Sequence, residues 1–268
     1  MNNLKVLQVR PGARVILGDF DPADTLGWEK PESQDVVESN CQRLSALHEQ
    51  LWAENRRSIL IVLQGMDTSG KDGTIRTVLH GVNPQGCTVT SFKTPAGEEA
   101  DHMYLWRIAR ALPARGDIGI FNRSHYEDVL IVRVHNLVPE PEWRARYDQI
   151  NAFEKLLTDN GTTILKFFLH ISKDEQKQRL QDRLDDPTKA WKFSEVDIAE
   201  RKLWPRYMEA YEEALSRCST AHAPWHIIPA DRKWVRNRAI STILVEAMEK
   251  LDMKWPRLTV DPKKIVIE

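Results

Sequence analysis

Cysteine is scarce in this chain. Cys41, Cys87 and Cys218 are the only three in 268 residues, far apart and without CxxC spacing. That count excludes a disulfide scaffold and suits a reducing compartment, with each thiol serving as a small hydrophobe. Long apolar runs are missing too, since none approaches the roughly 20 residues that a bilayer span needs. The start, Met1-Asn2-Asn3-Leu4-Lys5, lacks a basic segment followed by an apolar one, so no signal peptide is expected. The net charge of −1 supplies no global basic field to draw nucleic acid. Any polyanion site must come from local clustering of Lys and Arg. With no repeat and no low-complexity tract, the expectation is a soluble cytoplasmic protein whose partners are neither nucleic acid nor membrane.

What is present is ordinary globular composition, 41% apolar and 29% charged, in a chain long enough to bury a sizeable core. The informative stretch follows the apolar run Ile59–Leu63, which reads as a buried strand. Gly65, four intervening residues (Met66, Asp67, Thr68, Ser69), Gly70 and Lys71 then reproduce phosphate-loop spacing. The chemistry behind the pattern is specific. Glycines let backbone N–H groups turn inward as an anion nest, the next helix offers its N-terminus, and the lysine reaches the outer phosphates. One position departs from the pattern: after the lysine stands Asp72, followed by Gly73 and Thr74, where Ser or Thr commonly meets a magnesium ion.

Around this loop the sequence predicts one domain over 1–268. Residues 1–33, rich in Pro, Gly and Asp, read as an extended arm. Helical spacing predicts helices from Ser33 to about Asn55, Glu98–Leu112, Pro141–Asp159, Asp174–Leu184, Val196–Arg217 and Lys233–Leu251. Strands are expected at Cys87–Phe92, Ile118–Phe121, Thr162–Ile171 and Trp225–Ile228. The polar segment at about 184–195 reads as a mobile lid, and 254–268 as an extended tail. Strands separated by long helices imply a parallel sheet with helices on both faces, whose ligands sit at the strands' carboxyl ends.

The loops leaving those ends hold the candidate residues. Asp67 is an acid among phosphate-binding amides, either a metal holder or a turn-stabilising side chain. Lys71 and Arg123 are cations for phosphate, the arginine through its planar fork. Asn122 stands where kinase-type sheets often carry a magnesium-holding acid. His125 reads as a hydrogen-bonded structural histidine or as a site contact, and Glu127 as a metal or base-amine contact. Arg133 completes that cationic segment. Arg179 and Arg183, four apart on one helix face, join Lys189 and Lys192 as a cationic edge beside the lid. Trp191 is the tryptophan with a claim to something other than packing.

Several runs together resemble the polyphosphate kinase 2 family: G-M-D-T-S-G-K-D-G-T-I-R, I-F-N-R-S-H-Y-E-D-V-L, I-L-K-F-F-L-H-I-S-K-D-E-Q-K-Q-R-L-Q-D-R, the W-K-F of the lid and P-W-H-I-I-P-A-D. They occur in the family's order over nearly the whole chain. The resemblance implies an α/β fold of the P-loop, thymidylate-kinase-like kind with a helical lid. It also implies phosphoryl transfer between inorganic polyphosphate and adenine or guanine nucleotides with Mg2+, or Mn2+ in its place. Asp67, Lys71, Arg123 and Arg183 match the family's functional positions, with Asp67, and Glu127 as a second candidate, holding the metal. Asn122 with Glu127 resembles the branch that accepts both AMP and ADP, and a homodimer or homotetramer is expected. An ATP-dependent nucleoside-monophosphate kinase is the alternative on the same fold.

Overall fold

The structure is a computed structural model that describes residues 4–260 and 265. Five strands form one sheet: β1 (Ser58–Gln64), β2 (Cys87–Ser91), β3 (Ile118–Asn122), β4 (Thr162–His170) and β5 (Trp225–Pro229). All pairings are parallel, in the order β2-β3-β1-β4-β5. Every residue of central β1 is buried, as expected where helices cover both faces of a parallel sheet. The register sets Leu63 opposite both Asn122 and Phe167, and Asn122 opposite Ser91. The carboxyl ends of β1, β2 and β3 are therefore level, and their loops open on one edge.

One helical layer holds α1 (Lys30–Glu54), α2 (Lys71–Val78) and, at the end of the chain, the 17-residue Lys233–Glu249 helix. The short α3 (Glu98–Asp101) and α4 (Leu105–Arg110) follow β2. The opposite layer is built from α5 (Ile131–Val134), α6 (Glu140–Asp159) and, after α7 (Lys173–Asp185) and α8 (Glu195–Lys202), α9 (Trp204–Arg217). The Lys233–Glu249 helix is then α10.

Four expectations need correction. The helix predicted over Glu98–Leu112 is interrupted by extended His102 (φ −111°, ψ 162°). None of Glu98–Asp101 is buried, and so short a helical piece without a packed face has little to extend it. The helix predicted over Val196–Arg217 breaks at Leu203. Pro205 lacks an N–H and disfavours helical geometry before it, so it is accommodated in the first turn of α9. The N-terminal arm is no loose extension. It forms 3-10 turns at Leu4–Leu7 and Leu17–Asp19, bridges Gln8 to His226, and buries Leu4, Leu7, Val9, Val15 and Leu17 in the core. Finally, the lid is mostly turn, with one 3-10 turn at Ala190–Lys192 ahead of α8. Of the predicted tail, Lys254–Val260 has no helix or strand, and the remainder apart from Ile265 lies outside the described residues. No helix among the described residues is long and apolar enough to cross a membrane.

Candidate active site

The phosphate loop leaves β1 at Gly65, whose φ of +148° and close approach to Leu169 O and Ser69 Oγ (2.8 Å each from a notional Cβ) leave no room for a side chain. Its carbonyls are turned away from the opening by side chains from below. Gln176 Nε2 donates to Asp67 O (3.1 Å), Arg179 Nη1 to Thr68 O (2.9 Å) and Ser69 O (3.2 Å), and Arg236 Nη1 to Ser69 O (3.3 Å). A trans peptide points its N–H opposite to its C=O. The amides of Thr68 and Gly70 therefore face the cleft as an anion nest would, while the Ser69 N–H donates back to Met66 O (3.1 Å) and closes the turn. Thr68 holds φ +63°, costly for a β-branched residue and sustained here by those braces. The hydroxyls of Thr68, Ser69 and Thr74 are buried without a partner in the protein, as groups waiting for a ligand would be.

Above the loop lies a cleft of about 860 Å³. The residues lining it include Asp67, Thr68, Gly70, Lys71, Asp72 and Gly73 from the loop and the start of α2, Ser91–Lys93 at the end of β2, and Asn122 and Arg123 at the end of β3. Arg183, Thr188, Lys189, Trp191, Lys192 and Asp197 complete it from α7, the lid and α8. Lys71 Nζ donates to Gly65 O (2.8 Å) and Met66 O (3.2 Å), coiled back on its own loop. Burial pulls the Lys71 pKa down, with Asp67 opposing. Arg123 sits at φ +62°, and its Nη2 donates to Asp67 Oδ1 at 2.7 Å. Burial disfavours the Asp67 carboxylate, but the Lys71 and Arg123 cations outweigh it and hold its pKa below the ordinary range. Arg183 Nη1 reaches Asp197 Oδ2 at 3.4 Å. Asn122 Nδ2 donates to Asp72 Oδ1 at 2.7 Å, so the residue replacing the usual Ser or Thr is held by the residue replacing the usual acid.

Lys189 is ion-paired to Asp186, and Lys192 lies over the Trp191 ring (5.1 Å). Trp191 is 77% exposed, so it is not packed into the core.

Four candidates fall elsewhere. His125 is wholly buried, its Nε2 3.2 Å from Glu154 Oε1, and it does not line the cleft. Arg133 packs over Trp143 (4.8 Å) and donates to Glu213 Oε2 (2.6 Å) on another surface. Arg179 lies under the loop rather than beside the lid; its Nη2 also donates to Ala230 O (2.8 Å) and Asp231 O (2.9 Å). Glu127 does not line the cleft. It accepts from Gln64 Nε2 (3.1 Å) beneath Arg123, and burial raises its pKa. Sequence reasoning missed Gln176, Asp197 and Arg236. Arg236 had a signal: it shares spacing with buried Ile240 and Ile243 on α10, an odd place for a cation.

Sheet, nest and convergent cations define a phosphotransferase of the kinase-like α/β class. The comparisons narrow that class. The family described as "Polyphosphate kinase 2 (PPK2)" matches residues 28–256. A relative from Meiothermus ruber, named "AMP/ADP-polyphosphate phosphotransferase", is 52% identical over 99% of this chain and 100% of its own. One from Rhodopseudomonas palustris, named "ADP-polyphosphate phosphotransferase", is 44% identical over 98% of this chain and 96% of its own. The crystal structure of polyphosphate kinase 2 from Arthrobacter aurescens TC1 superposes with a TM-score of 0.93 at 44% identity, covering 97% of this chain and 93% of that one. The chain belongs to the polyphosphate kinase 2 family.

Proposed function

We propose that this enzyme moves phosphoryl groups reversibly from inorganic polyphosphate to AMP and ADP, making ADP and ATP. The observation that carries the reading is the meeting of Lys71, Arg123 and Arg183 around Asp67 and the loop amides in one cleft. The full-length similarity to the Meiothermus ruber protein supports the choice of acceptors. Guanine nucleotides belong to the same substrate class.

The chemistry asks little of a base. A nucleotide phosphate has a second pKa of about 6, so its attacking oxygen is already ionised at neutral pH. What the reaction needs is in-line alignment of two mutually repelling anions and stabilisation of charge on the transferred group. The loop amides hold one phosphate. Lys71 exchanges its loop carbonyls for phosphate oxygens, and Arg123 and Arg183 hold the donor and acceptor oxygens from the mouth. Asp67, kept ionised by its neighbours, steers both Lys71 and Arg123. The surrounding cations Arg76, Lys93, Lys189 and Lys192 also line the cleft, and activity with long polyphosphate should fall as salt rises.

A magnesium ion fits these residues. Among those described, no group of three or more His, Cys, Asp or Glu could hold a metal by itself, but Mg2+ travels on phosphates and needs only one or two carboxylates. Asp67, ionised and at the cleft surface, would hold it. Mn2+ would serve in its place; Glu127, which accepts from Gln64 and does not line the cleft, is set back from the ion's place. The ion supplies charge neutralisation between the reacting phosphates. The reading extends to a cytoplasmic homodimer or homotetramer, which light scattering tests.

The experiment is a product assay with purified protein, Mg2+, medium-chain polyphosphate and AMP, without ATP. ADP followed by ATP is expected. Transfer to ADP alone would remove AMP from the reading, and transfer only after ATP is added as donor would replace it with a monophosphate kinase.

A further inference from the structure

Beneath the phosphate loop lies a charge that nothing on the protein neutralises. Arg236, on the first turn of α10, is 2% exposed. Among the described residues no carboxylate lies within ion-pair distance of it; the acids near α7 and α10 pair instead with Arg179 (Glu175, 2.8 Å) and Arg238 (Glu32, 2.9 Å). Its hydrogen bonds are few and neutral. Nη1 donates to Ser69 O (3.3 Å), and Nε and Nη2 donate to the side chain of the adjacent Asn237 (3.2 and 3.0 Å). Burial, and then the neighbouring Arg179 cation, pull its pKa down to about 9. An arginine stays charged in a protein, so that pull appears as a cost to the fold.

The loop is shaped around this group. A Cβ on Gly70 would come to 1.8 Å from Arg236 Nη1, and one on Gly73 to 3.4 Å from Nη2. Gly70, whose φ is +104°, is thus required twice, by its backbone and by the guanidinium against it. Nothing would be orphaned if the guanidinium were absent. Ser69 O also accepts from Arg179, and Asn237 is half-buried with water at hand. A buried, unpaired cation that satisfies no otherwise unsatisfied group is poorly explained as a structural strut.

We propose that Arg236 is a positioning residue for phosphate: a fixed positive charge kept under the loop at the expense of the free protein's stability, and compensated only when a polyphosphate or nucleotide anion enters the nest above it. The inference rests on the phosphate-site reading of the cleft. Because the guanidinium lies on the protein side of the loop, it never touches substrate. It acts through the low-dielectric layer of the loop on any bound anion, and through Ser69 O on the direction of the Gly70 amide. Its effect falls on binding more than on turnover, since ground state and transition state carry nearly the same total phosphate charge.

The test compares the full-length wild type with Arg236→Met, which keeps much of the length and removes the charge, and with Arg236→Lys. The melting temperature is measured alone and across a titration with inorganic tripolyphosphate and Mg2+, and kcat and KM for polyphosphate are measured in parallel. For Arg236→Met we expect a free-protein melting temperature equal to or above wild type. Tripolyphosphate affinity should weaken about tenfold and KM should rise by a similar factor, with kcat within about threefold. Arg236→Lys should recover most of the affinity. An Arg236→Met protein that fails to fold or melts well below wild type overturns the proposal, because the charge is then a strut. So does one that binds tripolyphosphate as tightly as wild type. If the wild type itself does not bind tripolyphosphate, the phosphate-site reading fails first, and that outcome is separate from the other two.

Discussion

Two charged clusters flank the first strand, built from the same kinds of residue and put to opposite uses. Behind the β3 loop, Lys166, Glu154, Tyr126 and His125 are all fully buried. Lys166 Nζ donates to Glu154 Oε2 (2.5 Å), Tyr126 OH (2.7 Å) and Cys218 O (2.7 Å). Glu154 Oε1 accepts from Tyr126 OH at 2.8 Å. Lysine has three donors, and all are used, so the charges of this cluster are closed on one another, with His125 Nδ1 the one polar side-chain atom of the four residues left without a partner. In the cleft, Asp67 faces Lys71, Arg123 and Arg183, more cations than it can match, beside three unpartnered hydroxyls. That cluster is open. A closed cluster holds the fold, whereas an open one holds something that arrives. The two are joined by sequence: Arg123 is two residues from His125, so the closed cluster anchors the loop whose strained first residue serves the open one.

The comparison can be broken from either side. The largest effect is expected for Arg123→Ala, which should lower kcat with polyphosphate and AMP about 10³-fold or more while the circular dichroism spectrum is unchanged. Next comes Lys166→Met. Leaving Glu154 buried without its cation should cost about 3–5 kcal/mol in urea unfolding, and the double change with Glu154→Leu should regain most of it. A smaller effect is set by pH. Burial lowers the His226 pKa from 6.5 to about 4, and those of His170 and His48 in the same direction. The unfolded chain then binds protons that the native state refuses, so stability is full above pH 6.5 and falls as pH drops toward 4. For His226 alone the loss is on the order of 3 kcal/mol at the acid end. A pH series of melting temperatures should show that slope, shallower in His226→Asn. The smallest effect is expected for Arg133→Ala. It removes one partner from the Glu213 network, for about 1 kcal/mol or less, and should leave KM for AMP and for polyphosphate within about twofold of wild type.

Local chemistry made much of this legible. The strand before Gly65 and the spacing to Lys71 located the loop, because strand, glycines and lysine lie within one short stretch. The parallel sheet followed from long helices between apolar runs. Asp67, Lys71 and Arg123 meet in the cleft because they stand at or near the ends the sheet makes level, and Arg183 joins them from the last turn of α7. Errors arose where distance or rotation decides. Arg179 and Arg183 share a helix face, but four residues advance about 6 Å and turn about 40° beyond a full turn; one therefore lies under the loop and the other at the mouth. His125 sits two residues past a cleft residue, yet the 3-10 turn His125–Asp128 swings it inward. Arg236 acts on Gly70 from 166 positions away, and no local pattern reports a contact that only the packing of α10 creates. The break at Leu203 was available in Pro205 and was outweighed by the helical periodicity on both sides.

The measurement that tests the account most directly sets Lys71→Ala against Lys166→Met, with kcat/KM for polyphosphate and AMP and the urea midpoint measured on both. The account predicts a Lys71→Ala protein that unfolds with wild type but has lost phosphoryl transfer, and a Lys166→Met protein that unfolds early but, where still folded, turns over as wild type does. Transfer surviving the loss of Lys71, or lost with Lys166 in the folded state, would contradict it.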